Sequence, residues 1–182
     1  FRARRTKPMR LVMFLDVSGS MSLYSTFFIR FIRGVIDNFR HAGAFVFHTR
    51  LVQIGPALRE RNLERAIERL GLMSAGWSGG TRIGDSLATF NRNYAEGTLN
   101  RRTIVIVVSD GYDTGPPELL AKQVRLLHRR AKRVIWLNPM IGWRDYEPVA
   151  AGMAAALPHI DLFAPAHNIE SLAALEPYLA RI

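Results

Sequence analysis

Five oxygen-bearing side chains, carried on three separate stretches of the chain, could converge and hold a cation. The first stretch is Asp16-Val17-Ser18-Gly19-Ser20, which offers a carboxylate and two hydroxyls at alternate positions. The second is Gly79-Gly80-Thr81, a hydroxyl on a loop whose glycines permit close approach to a ligand. The third is Asp110-Gly111. Hard oxygen donors of this kind suit Mg²⁺ or Mn²⁺, which take about six oxygens in an octahedron and keep some waters. Two carboxylates roughly neutralise a divalent ion and leave room in its shell for a carboxylate from another molecule. Such a set serves recognition as readily as catalysis.

The elements that must position these groups follow from hydrophobic patterning. Leu11 to Leu15 is a short apolar run, a strand buried on both faces, and it ends at Asp16. Tyr24, Phe27, Phe28, Phe31, Ile32, Val35 and Phe39 recur at three and four, which predicts a helix over Ser20 to His41. Phe45 to Phe47 and Leu51 to Ile54 read as strands joined by the tight link His48 to Arg50, a hairpin rather than a crossover. Leu63, Ile67 and Leu70 mark a helix, the loop from Ala75 to Gly80 follows, and Thr81 stands where the N-cap of a helix through Tyr94 would be. Thr103 to Val108 is a strand ending at Ser109-Asp110-Gly111. Beyond it come a helix over Leu119 to Arg130, a strand over Val134 to Leu137, a helix over Tyr146 to Leu157, a strand over Ile160 to Phe163 and a closing helix over Ile169 to Leu179. The expected fold is therefore α/β, a doubly wound, mostly parallel six-stranded sheet with one antiparallel edge strand and helices on both faces. Ligands of such sheets bind beyond the carboxyl ends of the strands, where Asp16 and Asp110 fall.

The order Asp-x-Ser-x-Ser, Thr, Asp in Asp16, Ser18, Ser20, Thr81 and Asp110 resembles the metal-ion-dependent adhesion site (MIDAS) of von Willebrand factor A (VWA) domains. Phe14 to Met21, Trp77 to Gly84, Ser109 to Gly111 and Val134 to Pro139 resemble the CoxE-like branch of that family. The resemblance implies a Rossmann-like VWA domain over 11–182 behind a basic lead at 1–10. It also implies a protein–protein interaction module rather than an enzyme, binding Mg²⁺ (or Mn²⁺) through those five residues. CoxE-like proteins accompany CO dehydrogenase and related molybdenum hydroxylases and are thought to act with a MoxR-type AAA+ ATPase in maturing the metal centre. The implied partners are these proteins, engaged by an acidic side chain that completes the metal shell. The implied location is cytoplasmic, or at the inner membrane surface through partners.

Composition sets the remaining bounds. The 182 residues are 48% hydrophobic and 22% charged, the balance of one folded domain. The chain has no Cys, which removes disulfides, thiolate metal sites and cysteine nucleophiles. Apolar runs such as Leu11 to Leu15 and Ile104 to Val108 fall far short of the roughly 20 residues that span a bilayer. The start at Phe1 reads as that of a fragment of a longer protein. Twenty-five Lys and Arg against fifteen Asp and Glu give +10, concentrated in Arg2 to Arg10 and Lys122 to Arg133. That excess favours acidic partners, but no groove-reading helix or stacking array points to nucleic acid.

The rival chemistries are weaker. Gly76-Trp77-Ser78-Gly79-Gly80 matches G-x-S-x-G, with Asp110 and then His128, His159 or His167 in hydrolase order, yet a nucleophile elbow needs a strand before the Ser and the pattern there is helical. A phosphotransferase with Asp16 as nucleophile lacks a second acid and a placed Lys. Asp113 reads as a turn former before Thr114-Gly115, Asp85 as an early-helix residue, and His48 and His128 as surface residues. Trp136 reads as core packing.

Overall fold

The computed structural model describes residues 8–39, 41–55, 80–141, 150–168 and 170–171. Strand β1, Arg10–Asp16, takes in the last residue of the basic lead and occupies the centre of a six-stranded sheet of order β3-β2-β1-β4-β5-β6. β1 pairs in parallel with β2 (Ala42–Phe47) on one side and β4 (Thr103–Val108) on the other. β5 (Arg133–Asn138) and β6 (Leu162–Pro165) continue the parallel half. β3, Leu51–Gln53, closes the opposite edge antiparallel to β2, the hairpin expected from the tight His48 to Arg50 link.

Five α-helices are found among the described residues: α1 (Ser22–Asn38), α2 (Ile83–Asn93), α3 (Ala95–Thr98), α4 (Pro117–Arg130) and α5 (Ala151–Ala156). A 3-10 turn at Gly19–Met21 leads into α1, and another at Leu157–His159 follows α5. The helix expected over Leu63 to Leu70, the part of the Tyr146 to Leu157 helix up to residue 149, and nearly all of the helix over Ile169 to Leu179 lie outside the described residues. No helix among the described residues is long and apolar enough to cross a membrane.

Strand periodicity divides the core into two layers, because successive side chains point to opposite faces. Leu11, Met13 and Leu15 of β1, with Ile104, Ile106 and Val108 of β4, face Phe28, Ile29, Ile32 and Ile36 of α1. Val12 and Phe14, with Val105, Val107 and Trp136, face Leu87 and Phe90 of α2 and Leu120, Val124 and Leu127 of α4. Both faces being covered explains why β1 and β4 read as continuous apolar runs. Four rings anchor the second layer: Phe90 meets Phe14 edge-on at 4.8 Å and Phe45 at 5.1 Å, and Tyr94 lies 5.1 Å from Phe45.

Two strands start two or more residues away from the sequence expectation. β2 begins at Ala42, where Ala-Gly carries little strand propensity, because pairing with Leu11 and Val12 imposes the extended conformation. β6 runs over Leu162–Pro165 rather than Ile160 to Phe163, since Ile160 N bonds the Leu157 carbonyl and Asp161 N the Val134 carbonyl before pairing with β5 starts.

Phe90→Ala would empty the middle of the ring cluster and should cost about 3–5 kcal/mol in urea denaturation. A loss below about 1 kcal/mol would show that the cluster does not hold this layer together.

Candidate functional site

β1 and β4 lie side by side while the chain leaves them toward opposite halves of the sheet, so their carboxyl ends flank the switch point of the topology. Asp16 ends β1 there and is fully buried; Asp110 follows β4 by two residues and is buried as well. The Asp16 carboxylate is held on both oxygens. Ser18 N donates to Oδ1 at 2.9 Å, and Ser109 Oγ donates to Oδ2 at 2.6 Å, tying the turn after β1 to the end of β4. Ser18 and Ser20 present their hydroxyls 3.1 Å apart on the turn into α1, with Ser18 buried and Ser20 exposed.

The loop after β4 is fixed by its own contacts and by β5. Tyr112 N donates to Asp110 Oδ1 at 3.1 Å, and Gly111 N donates to Ser109 Oγ at 3.0 Å. Asn138 Nδ2 donates to the Asp110 carbonyl and Trp136 Nε1 to the Ser109 carbonyl, both at 3.0 Å. Gly111 has φ +85°, and a Cβ there would come within 2.8 Å of Met153 Sδ, so both the backbone conformation and the space demand glycine.

Thr81, buried, reaches the same edge by two backbone links. Its carbonyl accepts from Thr114 N and Thr114 Oγ1, each at 2.9 Å, while the next residue, Arg82, donates its N–H to the His48 carbonyl at 2.8 Å. The structure therefore brings all five sequence-nominated residues to one end of the sheet. Trp77, Ser78 and Gly79, which precede them in the loop, lie outside the described residues, as does Trp143.

Two readings of the sequence are corrected. Thr81 does not cap α2: the capping position is Arg82, without a side-chain bond, and Asp113 caps the helix from the other loop. Its Oδ1 accepts from Ile83 N at 3.0 Å and its Oδ2 from Gly84 N at 3.1 Å, while Oδ1 also accepts from Gly115 N in the expected turn. A carboxylate at this helix start also gains from the helix dipole. His48 is only 8% exposed and is not a surface residue, because its carbonyl holds the Thr81 segment against the β2–β3 link. Asp85 does fall in the first turn of α2, where Arg82 contacts it at 2.7 Å. His128 contacts Asp161 at the start of β5, away from Asp110. Ser109, Trp136 and Asn138 are the positioning residues that sequence reasoning assigned no part in the site.

Burial pushes the Asp16 carboxyl up to about 6 from an ordinary 3.8; hydrogen bonds from Ser109 and Ser18 oppose this, and the nearby Asp110 charge adds to it. No group of three or more His, Cys, Asp or Glu among the described residues could hold a metal ion. A cation here would thus depend on the hydroxyls of Ser18, Ser20 and Thr81 beside two carboxylates, a neutralising set of hard oxygens that fits Mg²⁺ or Mn²⁺.

The sign of the Asp16 shift sets a pH dependence. Between about 4 and 6 the folded state holds a proton on Asp16 that the unfolded state has lost, so the contribution of Asp16 to metal-free stability falls as pH rises through that window and then levels off. The cost at neutral pH is on the order of 3 kcal/mol. Urea denaturation in chelator at pH 5 and 7.5 should show Asp16→Asn gaining on the wild type as pH rises; parallel profiles would refute the assigned cost. Asp113→Ala, which strips acceptors from three backbone N–H groups, should lose about 1–2 kcal/mol at both pH values.

The model of the family described as VWA domain containing CoxE-like protein matches residues 1–172. No curated protein matches the chain. Among solved structures, the conserved hypothetical protein BatB from Bacteroides thetaiotaomicron is 18% identical with a TM-score of 0.58, over 95% of this chain and 98% of that one. An aerotolerance-related membrane protein from Bacteroides fragilis is 15% identical with a TM-score of 0.57, over 96% and 100%. Proximal thread matrix protein 1 from the mussel byssus, solved with a zinc-occupied MIDAS motif, is 18% identical with a TM-score of 0.58, over 94% of this chain and 47% of that one. At such identities these structures speak for the fold. The family match spans nearly the whole chain and agrees with the observed sheet order and site edge: the protein belongs to the CoxE-like family of VWA-domain proteins.

Proposed function

We propose that the domain is a metal-dependent protein–protein interaction module and not a catalyst. Asp16, Ser18, Ser20, Thr81 and Asp110 hold Mg²⁺, with Mn²⁺ able to replace it, and a partner's acidic side chain completes the shell. The observation that carries this reading is the pair of buried carboxylates at the switch point, Asp16 and Asp110, joined through Ser109 beside the Ser18 and Ser20 hydroxyls. Burying two negative groups together is costly unless a cation or protons compensate them. A bound divalent ion supplies that compensation and a Lewis-acidic contact for an incoming carboxylate. The protein's part is to orient the donors: Ser109 and Ser18 N fix the Asp16 carboxylate, Tyr112 N fixes that of Asp110, and Trp136 and Asn138 hold the loop that carries it.

Membership of the CoxE-like family supports a finer reading. The partner is a MoxR-type AAA+ ATPase or a molybdenum hydroxylase such as CO dehydrogenase, and the domain serves maturation of that enzyme's metal centre. The work takes place in the cytoplasm, or at the inner membrane surface through those partners.

A Mn²⁺ titration followed by EPR tests the site. Wild type and Ser78→Ala should bind one ion, and Asp16→Ala should lose about a hundredfold or more in affinity while keeping its circular dichroism spectrum. Undiminished binding by Asp16→Ala, or absence of binding by the wild type, would overturn the reading, and turnover of simple esters or phosphate esters that disappears in Ser78→Ala would return the case to a hydrolase.

A further inference from the structure

At the end of the sheet opposite the candidate metal edge, β3 stops short of β2. Its pairing begins only at Phe45↔Gln53, with Ile54 N bonding the Ala44 carbonyl, so Ala42 and Gly43 run on past it. The gap is a cavity of about 250 Å³, with Leu11 and Phe45 in its wall and Arg10, His41, Gln53 and Thr98 supplying polar groups. Arg10 Nη2 donates to the Gly97 carbonyl at 3.1 Å, which anchors the guanidinium beside the opening.

Basic residues gather around this end through backbone contacts. Arg10 N bonds the Arg102 carbonyl at 3.1 Å, and Lys132 N bonds the Thr103 carbonyl at 2.7 Å. Arg101, Arg102 and Lys132 are exposed, as are Arg129 and Arg130 where α4 ends. The carboxylates at this end, among the described residues, are Asp37, Glu96 and Asp161; Asp37 pairs with Arg33 at 3.1 Å, and Asp161 accepts from Val134 N at 2.7 Å. In sequence, Arg2, Arg4, Arg5 and Lys7 directly precede this edge. Asp16, Asp85, Asp110, Asp113 and Glu118 belong to the other end, where Arg50 and Arg82 are also found, so more of the described carboxylates lie there than at the cavity end.

We propose that this edge is a second binding site, independent of the metal edge, that takes an acidic peptide segment with one Glu or Asp side chain inserted beside Arg10 and His41. The cavity is smaller than the roughly 300–1,000 Å³ of pockets for drug-sized ligands, so it suits a single side chain rather than a nucleotide. An arginine fork matches a carboxylate in geometry as well as charge. Among the described residues the exposed large hydrophobic is Tyr112, at the opposite end, so this edge shows neither a platform for stacked bases nor an apolar wedge for a bilayer. The surrounding Arg and Lys residues steer the acidic segment in and make its association salt-dependent.

Fluorescence anisotropy with a labelled deca-glutamate peptide, in chelator at physiological salt, tests the proposal. Wild type should bind; Arg10→Gln and Gly43→Val should each weaken binding by about tenfold or more; Asp16→Ala should bind as wild type does. A Cβ at Gly43 makes only ordinary contacts, the nearest 3.5 Å from Phe45, so a side chain can begin there without a backbone clash. Circular dichroism and urea midpoints verify that each variant is folded. Labelled deca-thymidylate should be indifferent to Gly43→Val. The proposal falls if wild type does not bind the peptide, if Gly43→Val leaves its affinity unchanged, if Asp16→Ala abolishes binding, or if deca-thymidylate loses affinity in step with the peptide.

Discussion

The 2.6 Å hydrogen bond from Ser109 Oγ to Asp16 Oδ2 is the contact on which the site depends. It joins the ends of the two central strands and fixes the angle of a carboxylate that lies wholly inside the protein. The same hydroxyl accepts from Gly111 N, so a single side chain sets both the Asp16 carboxylate and the start of the loop that carries Asp110. Polar groups in so dry a place must be satisfied by fixed partners, and those partners come from β1, β4 and β5 together.

The rest of the fold holds these ends still. Apolar layers on both faces of the sheet leave β1 and β4 no freedom to slide, since a shift by one residue would exchange their two faces. The carboxylate of Asp113 stitches the start of α2 to the loop after β4, and Met153 of α5 closes over Gly111. Rigidity at the strand ends is thus supplied from several directions, while electrostatic cost is concentrated at Asp16. Preorganised binding sites commonly show this division, giving up stability locally to hold an unfavourable arrangement ready.

Legibility in the sequence follows the range of the interactions. The runs Leu11 to Leu15 and Thr103 to Val108 announced buried strands because burial on both faces leaves no alternation to misread. That the five nominated residues share one end of the sheet was readable because each stands at a strand end or on a glycine loop. Asp113 was readable as a turn former, since that bond spans two residues, but its capping of α2 spans thirty and leaves no local mark. Ser109, Trp136 and Asn138 are of the same kind: their types and places were visible, but their partners lie on neighbouring strands. Ala42 and Gly43 carry no strand signal of their own and are extended because β1 makes them so.

The position of β1 in the sheet also decides how the domain would bear a load. A pull on Asp16 along the strand direction enters a strand paired from Leu11↔Ala42 to Asp16↔Phe47 on one side and from Arg10↔Thr103 to Leu15↔Val108 on the other. Those bonds lie across the pull and are stretched together in shear, so none yields until many do. The same force applied to β3, held by three residue pairs on one side only, would meet far fewer bonds. An attachment point at the tip of the most deeply clamped strand, where the proposed metal contact lies, would make the domain a tether that resists along its own axis.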